Sequence, residues 1–225
     1  PPSAPPTAPP TAPPAAPPAA PPTASRVVLT KERPSISLVK QDVRGGTLRV
    51  NLNWTARPPQ GAGMFARRGG TDLDLGCLYE FTDGTKGVVQ ALGHAYTAQP
   101  RGDARPLITL DGDDRSGAAV GGENLHIDLD RAAAIRRILL FAFIYEGAPN
   151  WSEADAVVTW YPVGAPPVEV RLDEHDPRAR MCAIALLDNS TGALDLRREV
   201  RFIQGSQGDL DRAYGWGMQW RSGRK

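Results

Sequence analysis

The sequence has few of the residues that hold zinc or form disulfides. It contains two cysteines and three histidines. Cys77 and Cys182 lie far apart in apolar stretches, which predicts buried free thiols rather than a disulfide. The histidines are isolated along the chain, whereas protein zinc sites use clustered Cys and His. The sequence therefore does not favour a zinc protein.

Long apolar runs and an excess of one charge are also absent. No run approaches the roughly 20 apolar residues of a membrane-spanning helix, and no signal-peptide pattern occurs. Lys and Arg number 26 against 25 Asp and Glu, so the formal net charge is +1. Nucleic-acid-binding domains are usually far more basic. We therefore expect no transmembrane segment and no nucleic-acid partner, with the cytoplasm as the default location.

Proline, in contrast, is abundant at the front of the chain. Through residue 24 a Pro-Pro pair recurs every four residues among Ala, Ser and Thr. Such a segment cannot bury a core and favours polyproline II. We expect residues 1–25 to be a disordered linker that tethers residues 26–225 to an upstream domain missing from this chain. A PxxP ligand for an SH3-like domain is the alternative.

After residue 25 the patterns are those of short strands. Thr47–Trp54 alternates apolar and polar residues, which predicts a half-buried strand. Ile138–Tyr145 is almost wholly apolar, which is typical of a central strand covered on both faces. Helical propensity is confined to Arg131–Arg137. The other predicted strands are Val27–Leu29, Ser35–Leu38, Thr71–Leu75, Cys77–Phe81, Val88–Leu92, Leu107–Leu110, Leu125–Leu129, Val157–Tyr161, Val168–Leu172, Ala179–Leu187 and Leu194–Ile203. These patterns predict one all-β domain, a two-sheet β-sandwich with long acidic loops.

Aromatic residues recur near the end of the chain. Tyr214, Trp216, Met218 and Trp220 are spaced two apart. Period-two spacing predicts a last strand that closes the core. The alternative is an aromatic surface for a partner.

Acidic residues are concentrated in Leu110–Asp130. Asp111, Asp113 and Asp114 precede a glycine-rich loop, and Glu123 follows it. Like charges packed this densely repel one another, and a hard cation with oxygen ligands offsets that repulsion. The stretch is either a solvated acidic turn or part of a cation site.

A second acidic pair favours the cation site. Asp72 and Asp74 lie two apart in a strand pattern, so they share a face at a spacing of about 6.5–7 Å. Calcium takes six to eight oxygen ligands in flexible geometry, whereas magnesium demands near-ideal octahedral geometry. The loop is not an EF-hand, because counting from Asp111 places Arg115 at position five and Gly122 at position twelve.

Four stretches in order also carry a family likeness. They are the segment from Val28 through Leu38, the strand Val50-Asn-Leu-Asn-Trp54, the motif Asp72-Leu-Asp74, and Gly112-Asp-Asp-Arg-Ser-Gly117 followed by Glu123-Asn-Leu-His-Ile127. Together they resemble the TerD family of bacterial tellurite-resistance and stress-response proteins, including TerA-like members. In that family the first stretch is an opening hairpin.

The resemblance implies a calcium-binding β-sandwich without enzymatic activity that acts with membrane-associated protein partners. The residues that match the family's metal ligands are Asp72, Asp74, Asp113 and Glu123, and Asp114 stands where the family usually has Asn. The family also has consecutive aspartates where this chain has Gly121-Gly122, and an Asp where it has Thr55. We therefore expect one good calcium site and a second that is weak or absent, with Asp111 as a candidate compensating ligand.

Two other functions stay open from the sequence. One is an enzyme, either a metal-assisted hydrolase or a two-carboxylate glycosidase, although clustered exposed acidic residues without a histidine base fit either reaction poorly. The other is a calcium-dependent carbohydrate-binding sandwich in which the terminal tryptophans stack on the sugar.

Overall fold

The computed structural model describes residues 26–55, 72–111, 122–146, 151–174 and 176–220, without the side chain of Glu146. The proposed linker, residues 1–25, and two of the predicted ligands, Asp113 and Asp114, lie outside these ranges.

The described residues form thirteen strands and few helices. In chain order the strands are β1 (Val27–Val28), β2 (Ser35–Ser37), β3 (Thr47–Asn53), β4 (Asp72–Phe81), β5 (Lys86–Gln90), β6 (Thr97–Ala98), β7 (Ile108–Leu110), β8 (Glu123–Asp128), β9 (Ile135–Glu146), β10 (Val157–Tyr161), β11 (Val168–Arg171), β12 (Met181–Asp188) and β13 (Asp195–Ile203). Short 3₁₀ turns span Val39–Gln41 and Leu129–Ala134, and the α-helix α1 spans Gln207–Tyr214.

Two sheets pack face to face. The first has the order β1-β11-β10-β3-β8-β7-β6, and the second has the order β2-β13-β12-β9-β4-β5. The described strand pairs are antiparallel except β1 with β11. The predicted all-β, two-sheet sandwich is confirmed.

Strand β9 lies in the middle of the second sheet and is covered on both faces, as predicted. Leu140, Ala142 and Ile144 face the main core between the sheets. Leu139, Phe141 and Phe143 face the opposite way, into a second apolar cluster that also contains Leu210 of α1 and the buried Trp216. A strand buried on both faces needs apolar residues at every position, which explains the continuous apolar run.

The predicted opening hairpin is wrong. β1 pairs with β11 in the first sheet, and β2 pairs with β13 in the second. The buried Leu29 and the turn that follows it carry the chain from one sheet to the other at the edge of the sandwich. Local alternation identified both strands, but their partners lie more than a hundred residues away.

The predicted last strand over Tyr214–Trp220 is also wrong. Ser206 and Asp209 form a reciprocal capping box that starts α1, and Gly215 ends the helix in the left-handed region. Residues 215–220 follow in irregular backbone. The helical propensity of Arg131–Arg137 is realised only as the 3₁₀ turn Leu129–Ala134, after which β9 begins.

Both cysteines are buried and free, as predicted. Burial raises the pKa of both thiols, that of Cys77 to about 12. In the part of the chain that the structure describes, no helix is long and apolar enough to cross a membrane.

The buried carboxylate of Glu80 on β4 forms ion pairs with several basic side chains. Glu80 contacts Arg137 Nε at 2.7 Å, Arg136 Nη1 at 3.1 Å and Lys86 Nζ at 3.6 Å. Burial alone would raise the pKa of Glu80, but the hydrogen bond and charge of Arg137, with the charges of Lys86 and Arg136, hold it below its ordinary value of 4.5. The folded state therefore binds this proton less readily than the unfolded chain does.

We expect Glu80→Gln to lower the free energy of unfolding by about 2 kcal/mol at neutral pH, because charge-assisted hydrogen bonds are lost. Since the folded pKa is depressed, the contribution of Glu80 is present above about pH 4.5 and is lost as the pH falls through the folded pKa. Urea unfolding at several pH values measures this. A difference between variant and parent that stays constant into acid would contradict the assignment.

Candidate metal centre

The aspartate pair lies at the start of β4, in the second sheet. Strand β5 ends at Gln90 opposite Gly76, so the first residues of β4 extend beyond that neighbour. On its other side β4 pairs with β9, where Asp74 lies opposite Phe143. Asp74 is 0% exposed, and one oxygen of Asp72 is also buried. The alternation of strand side chains places both aspartates on the face opposite Leu73 and Leu75, as predicted.

Glu123 reaches the same place from the first sheet. It is the first residue of β8, where it shares the core face with Leu125 and Ile127, and it is 2% exposed. Its Oε2 accepts a hydrogen bond from the backbone N–H of Leu75 at 2.6 Å. Because β5 has already ended, the carboxylate occupies the edge of β4 where a strand would otherwise pair.

The contact between Glu123 and Leu75 has two consequences. It ties the two sheets together at this end of the sandwich, since β8 and β4 belong to different sheets. It also brings the Glu123 carboxylate to the backbone of β4 next to Asp74, because the Leu75 nitrogen is bonded to the carbonyl carbon of Asp74, whereas the Asp74 side chain lies on the face of β4 opposite the core-facing Leu75. The structure therefore brings together members of the two acidic motifs that lie about fifty residues apart.

Asp111 lies elsewhere. Leu110 before it is buried and Asp111 is exposed. Its Oδ2 lies 3.1 Å from Nε2 of His126, a residue that alternates with the core-facing Leu125 and Ile127. Asp111 thus faces the outer side of the first sheet, away from Glu123. The sequence analysis assigned His126 no partner, but the pairing of β7 with β8 places the side chains of Asp111 and His126 next to each other.

The acidic loop itself, residues 112–121, lies outside the described ranges, but both of its ends are positioned. Asp111 N donates to Asn124 O at 2.9 Å, and Gly122 precedes β8 directly. Within the described residues no group of three His, Cys, Asp or Glu side chains is arranged to hold a metal ion. A complete site at this end of the sandwich therefore needs ligands from residues outside the described ranges.

Gly122 has a structural reason for being glycine. Its φ is +62°, and a Cβ built on it would overlap the backbone carbonyl oxygen of Leu52. An aspartate at this position is incompatible with the backbone seen here. Where the resemblance implies an acidic residue, this chain therefore has a glycine whose backbone packs closely against β3.

Comparison with known proteins agrees with these motifs. No family model matches the chain. The chain is 44% identical over 204 residues to the tellurium resistance protein TerA of Alcaligenes sp., a match that covers 89% of this chain and 59% of that protein. The chain therefore spans less than two thirds of the length of this curated relative.

The fold has a solved counterpart. A crystal structure of a homologue of the telluride resistance protein TerD, from Streptomyces coelicolor A3(2), matches with a TM-score of 0.51 over 73% of this chain and 94% of that one, at 21% identity. This likeness supports the sandwich fold. The 44% identity to TerA over most of this chain, with the shared fold, supports the assignment of the chain to the TerD family of tellurium resistance proteins.

Proposed function

We propose that this chain is a non-enzymatic calcium-binding module of tellurium resistance and stress response that acts through protein partners. The observation that carries the proposal is that two buried acidic residues from different sheets, Asp74 and Glu123, lie at the same stretch of β4, where Glu123 accepts a hydrogen bond from the backbone N–H of the residue after Asp74. Carboxylates that two different strands bring to one end of the sandwich are oxygen ligands that a calcium ion can use. The adjacent loop offers further oxygen ligands.

The donor set suits calcium. All the candidate ligands are carboxylates, the hard oxygen donors that calcium prefers, and calcium tolerates irregular geometry. We assign the ion to Asp72, Asp74 and Glu123, with Asp113 and Asp114 supplied by the acidic loop. The packing of Gly122 against Leu52 removes one position that could serve a second ion, which supports the expectation of one good site.

The bound ion would stabilise one end of the sandwich. It would draw the acidic loop and the start of β4 towards β8, at the same end where Glu123 already joins the sheets. Stabilising this end would present a defined surface to protein partners. We place the module in the cytoplasm, at the periphery of the membrane where its partners reside. Tellurium oxyanions are negatively charged, so a carboxylate cluster is a poor direct binder, and action through partners is the better account.

Calcium titration of the full chain by calorimetry tests this proposal. We expect one principal binding event, and affinity losses of about tenfold or more in Asp72→Asn and Asp113→Asn, because ligand charge sets calcium affinity. Asp111→Asn is the matched control: its carboxylate faces the outer side of the first sheet beside His126, so its affinity should match the parent. Absence of any heat of binding in the parent would overturn the proposal.

A further inference from the structure

A groove lies between the edge of the second sheet and the C-terminal segment, far in sequence from the acidic motifs. Its volume is about 600 Å³. It runs between β5 with the turn that follows it, the start of α1, and the last described residues. We call it the C-terminal groove, and its lining includes Val88, Gln90, Leu92, Gln207, Gln219 and Trp220.

Trp220, the aromatic residue of the C-terminal groove, is held in position by hydrogen bonds. Trp220 Nε1 donates to Oδ2 of the buried Asp211 at 3.0 Å. The same carboxylate accepts from the backbone N–H groups of Gly217 and Met218, at 2.9 Å each. These bonds fix the irregular segment after α1. The indole of Trp220 is therefore positioned before any ligand arrives, which lowers the entropy lost on binding.

The chemistry of the lining selects a class of ligand. In the described part of the chain the residues that line the groove carry no charge, so phosphates, nucleic acids and acidic peptides find no counter-charge there. The groove offers an indole, the aliphatic side chains of Val88 and Leu92, and the amides of Gln90 and Gln207, which bond to each other at 3.2 Å. An indole packs well on prolyl rings, and amide groups donate to peptide carbonyls. Proline-rich segments in polyproline II use such grooves, because their carbonyls point outward and proline lacks an N–H.

The chain carries such a ligand itself. Residues 1–24 contain only Pro, Ala, Ser and Thr and have no charge, which matches the uncharged lining. Extended as polyproline II they would reach about 70 Å. β1, where the described chain begins, and β5 lie at opposite edges of the sandwich. A six-stranded sheet is about 25 Å wide and two packed sheets lie about 10 Å apart, so the segment is long enough to reach around.

We propose that residues 1–24 bind intramolecularly in the C-terminal groove. The Pro-Pro pairs supply rings for Trp220 and Leu92, and the carbonyls accept from the glutamine amides. The segment then covers the apolar groove, and a partner that binds one of the two would have to displace the other. Its chemistry is independent of the acidic motifs, so the groove and the calcium proposal stand or fall separately.

A spin label in the full chain tests the proposal. Thr11→Cys introduces a labelling site, and the two native cysteines are fully buried with raised pKa values, so a nitroxide reagent reacts selectively. We expect loss of the Trp220 indole N–H and Gln207 side-chain amide NMR signals, restored when the nitroxide is reduced. A free peptide with the sequence of residues 1–24 should also restore them by competition.

A pair of variants and a mixing experiment test whether the segment binds in the groove of its own chain. Leu92→Glu places a charge in the groove and should restore both signals, whereas Val163→Glu alters a valine that is 57% exposed elsewhere and should not. Mixing labelled protein with unlabelled isotope-enriched protein should give no signal loss. Signals that persist in the labelled parent, loss that survives Leu92→Glu, or loss seen only in the mixture would each overturn intramolecular binding.

Discussion

Replacing Glu123 with glutamine is expected to abolish the calcium-induced rise in melting temperature and to leave the calcium-free protein folded. The amide oxygen of glutamine can still accept the Leu75 N–H that Glu123 Oε2 accepts at 2.6 Å, so the link between the sheets survives. The negative charge is lost, and with it a ligand whose charge supports calcium binding. The substitution thus separates the structural role of Glu123 from its proposed role towards the ion.

The size of the effect follows from mass action. At a calcium concentration 100 times the dissociation constant, binding to the folded state alone stabilises the parent by about 2.7 kcal/mol. For a domain of this size that corresponds to a rise of about 5–10 °C. Thermal unfolding of parent and Glu123→Gln, each in chelator and in saturating calcium, measures the difference directly.

Glu80→Gln is the matched control for this prediction. Glu80 is also a buried carboxylate, but it lies near the other end of β4 and is paired with Arg137, Arg136 and Lys86. This variant should melt at a lower temperature and still respond to calcium like the parent. If Glu123→Gln kept the full calcium response, Glu123 would be a purely structural link and the ligand assignment would fail.

The strands were predictable where their pattern is local. β3 alternates apolar and polar residues within a few positions, so Thr47–Asn53 follows from side-chain parity alone. Val157–Tyr161 of β10 is a short run of β-branched and aromatic residues, which is typical of a strand. Pairing partners do not follow from parity. β1 and β2 are close in sequence yet join different sheets, because each pairs with a strand from the last third of the chain.

The candidate site was likewise predictable from the sequence only where the pattern is local. The shared face of Asp72 and Asp74 follows from period two, and so does the core-facing position of Glu123. The contact of Glu123 with β4 next to Asp74 does not follow from period two. It depends on where β5 ends, because only beyond that point is the edge of β4 open to a carboxylate. The position of Asp111 depends on the parity of β7, whose last residue, Leu110, faces the core. A charge count alone groups Asp111 with the other acidic residues, but the sheet separates it from Glu123.

The C-terminal helix was missed for a different reason. The spacing of the aromatic residues from Tyr214 to Trp220 is that of a strand, whereas the helix that ends at Tyr214 starts from a local capping box of Ser206 and Asp209. In the structure only Trp216 of this set is fully buried, and its burial comes from the irregular segment after Gly215. Terminal aromatic residues can close a core without belonging to a strand.

The second large effect concerns this buried tryptophan. We expect Trp216→Ala to lower the free energy of unfolding by about 4 kcal/mol, within the usual range for removing a large buried aromatic side chain. Trp216 is 1% exposed, its ring lies 3.8 Å from the Arg137 guanidinium carbon, and its Nε1 donates to Tyr79 O at 3.0 Å. The substitution would open a cavity over Phe141 and Leu139, on the outer face of the second sheet.

Graded variants separate the contributions of Trp216. Trp216→Phe keeps much of the apolar volume and loses the hydrogen bond to Tyr79, so it should cost roughly half as much as Trp216→Ala. Met218→Ala, in the same segment but only half-buried, should cost least. Urea unfolding monitored by circular dichroism ranks the three. Because Trp216 contacts Tyr79, near the end of β4 opposite to Asp72 and Asp74, each variant should keep the calcium-induced stabilisation that Glu123→Gln loses. Loss of that response in Trp216→Phe would mean that the C-terminal segment and the metal centre form one cooperative unit.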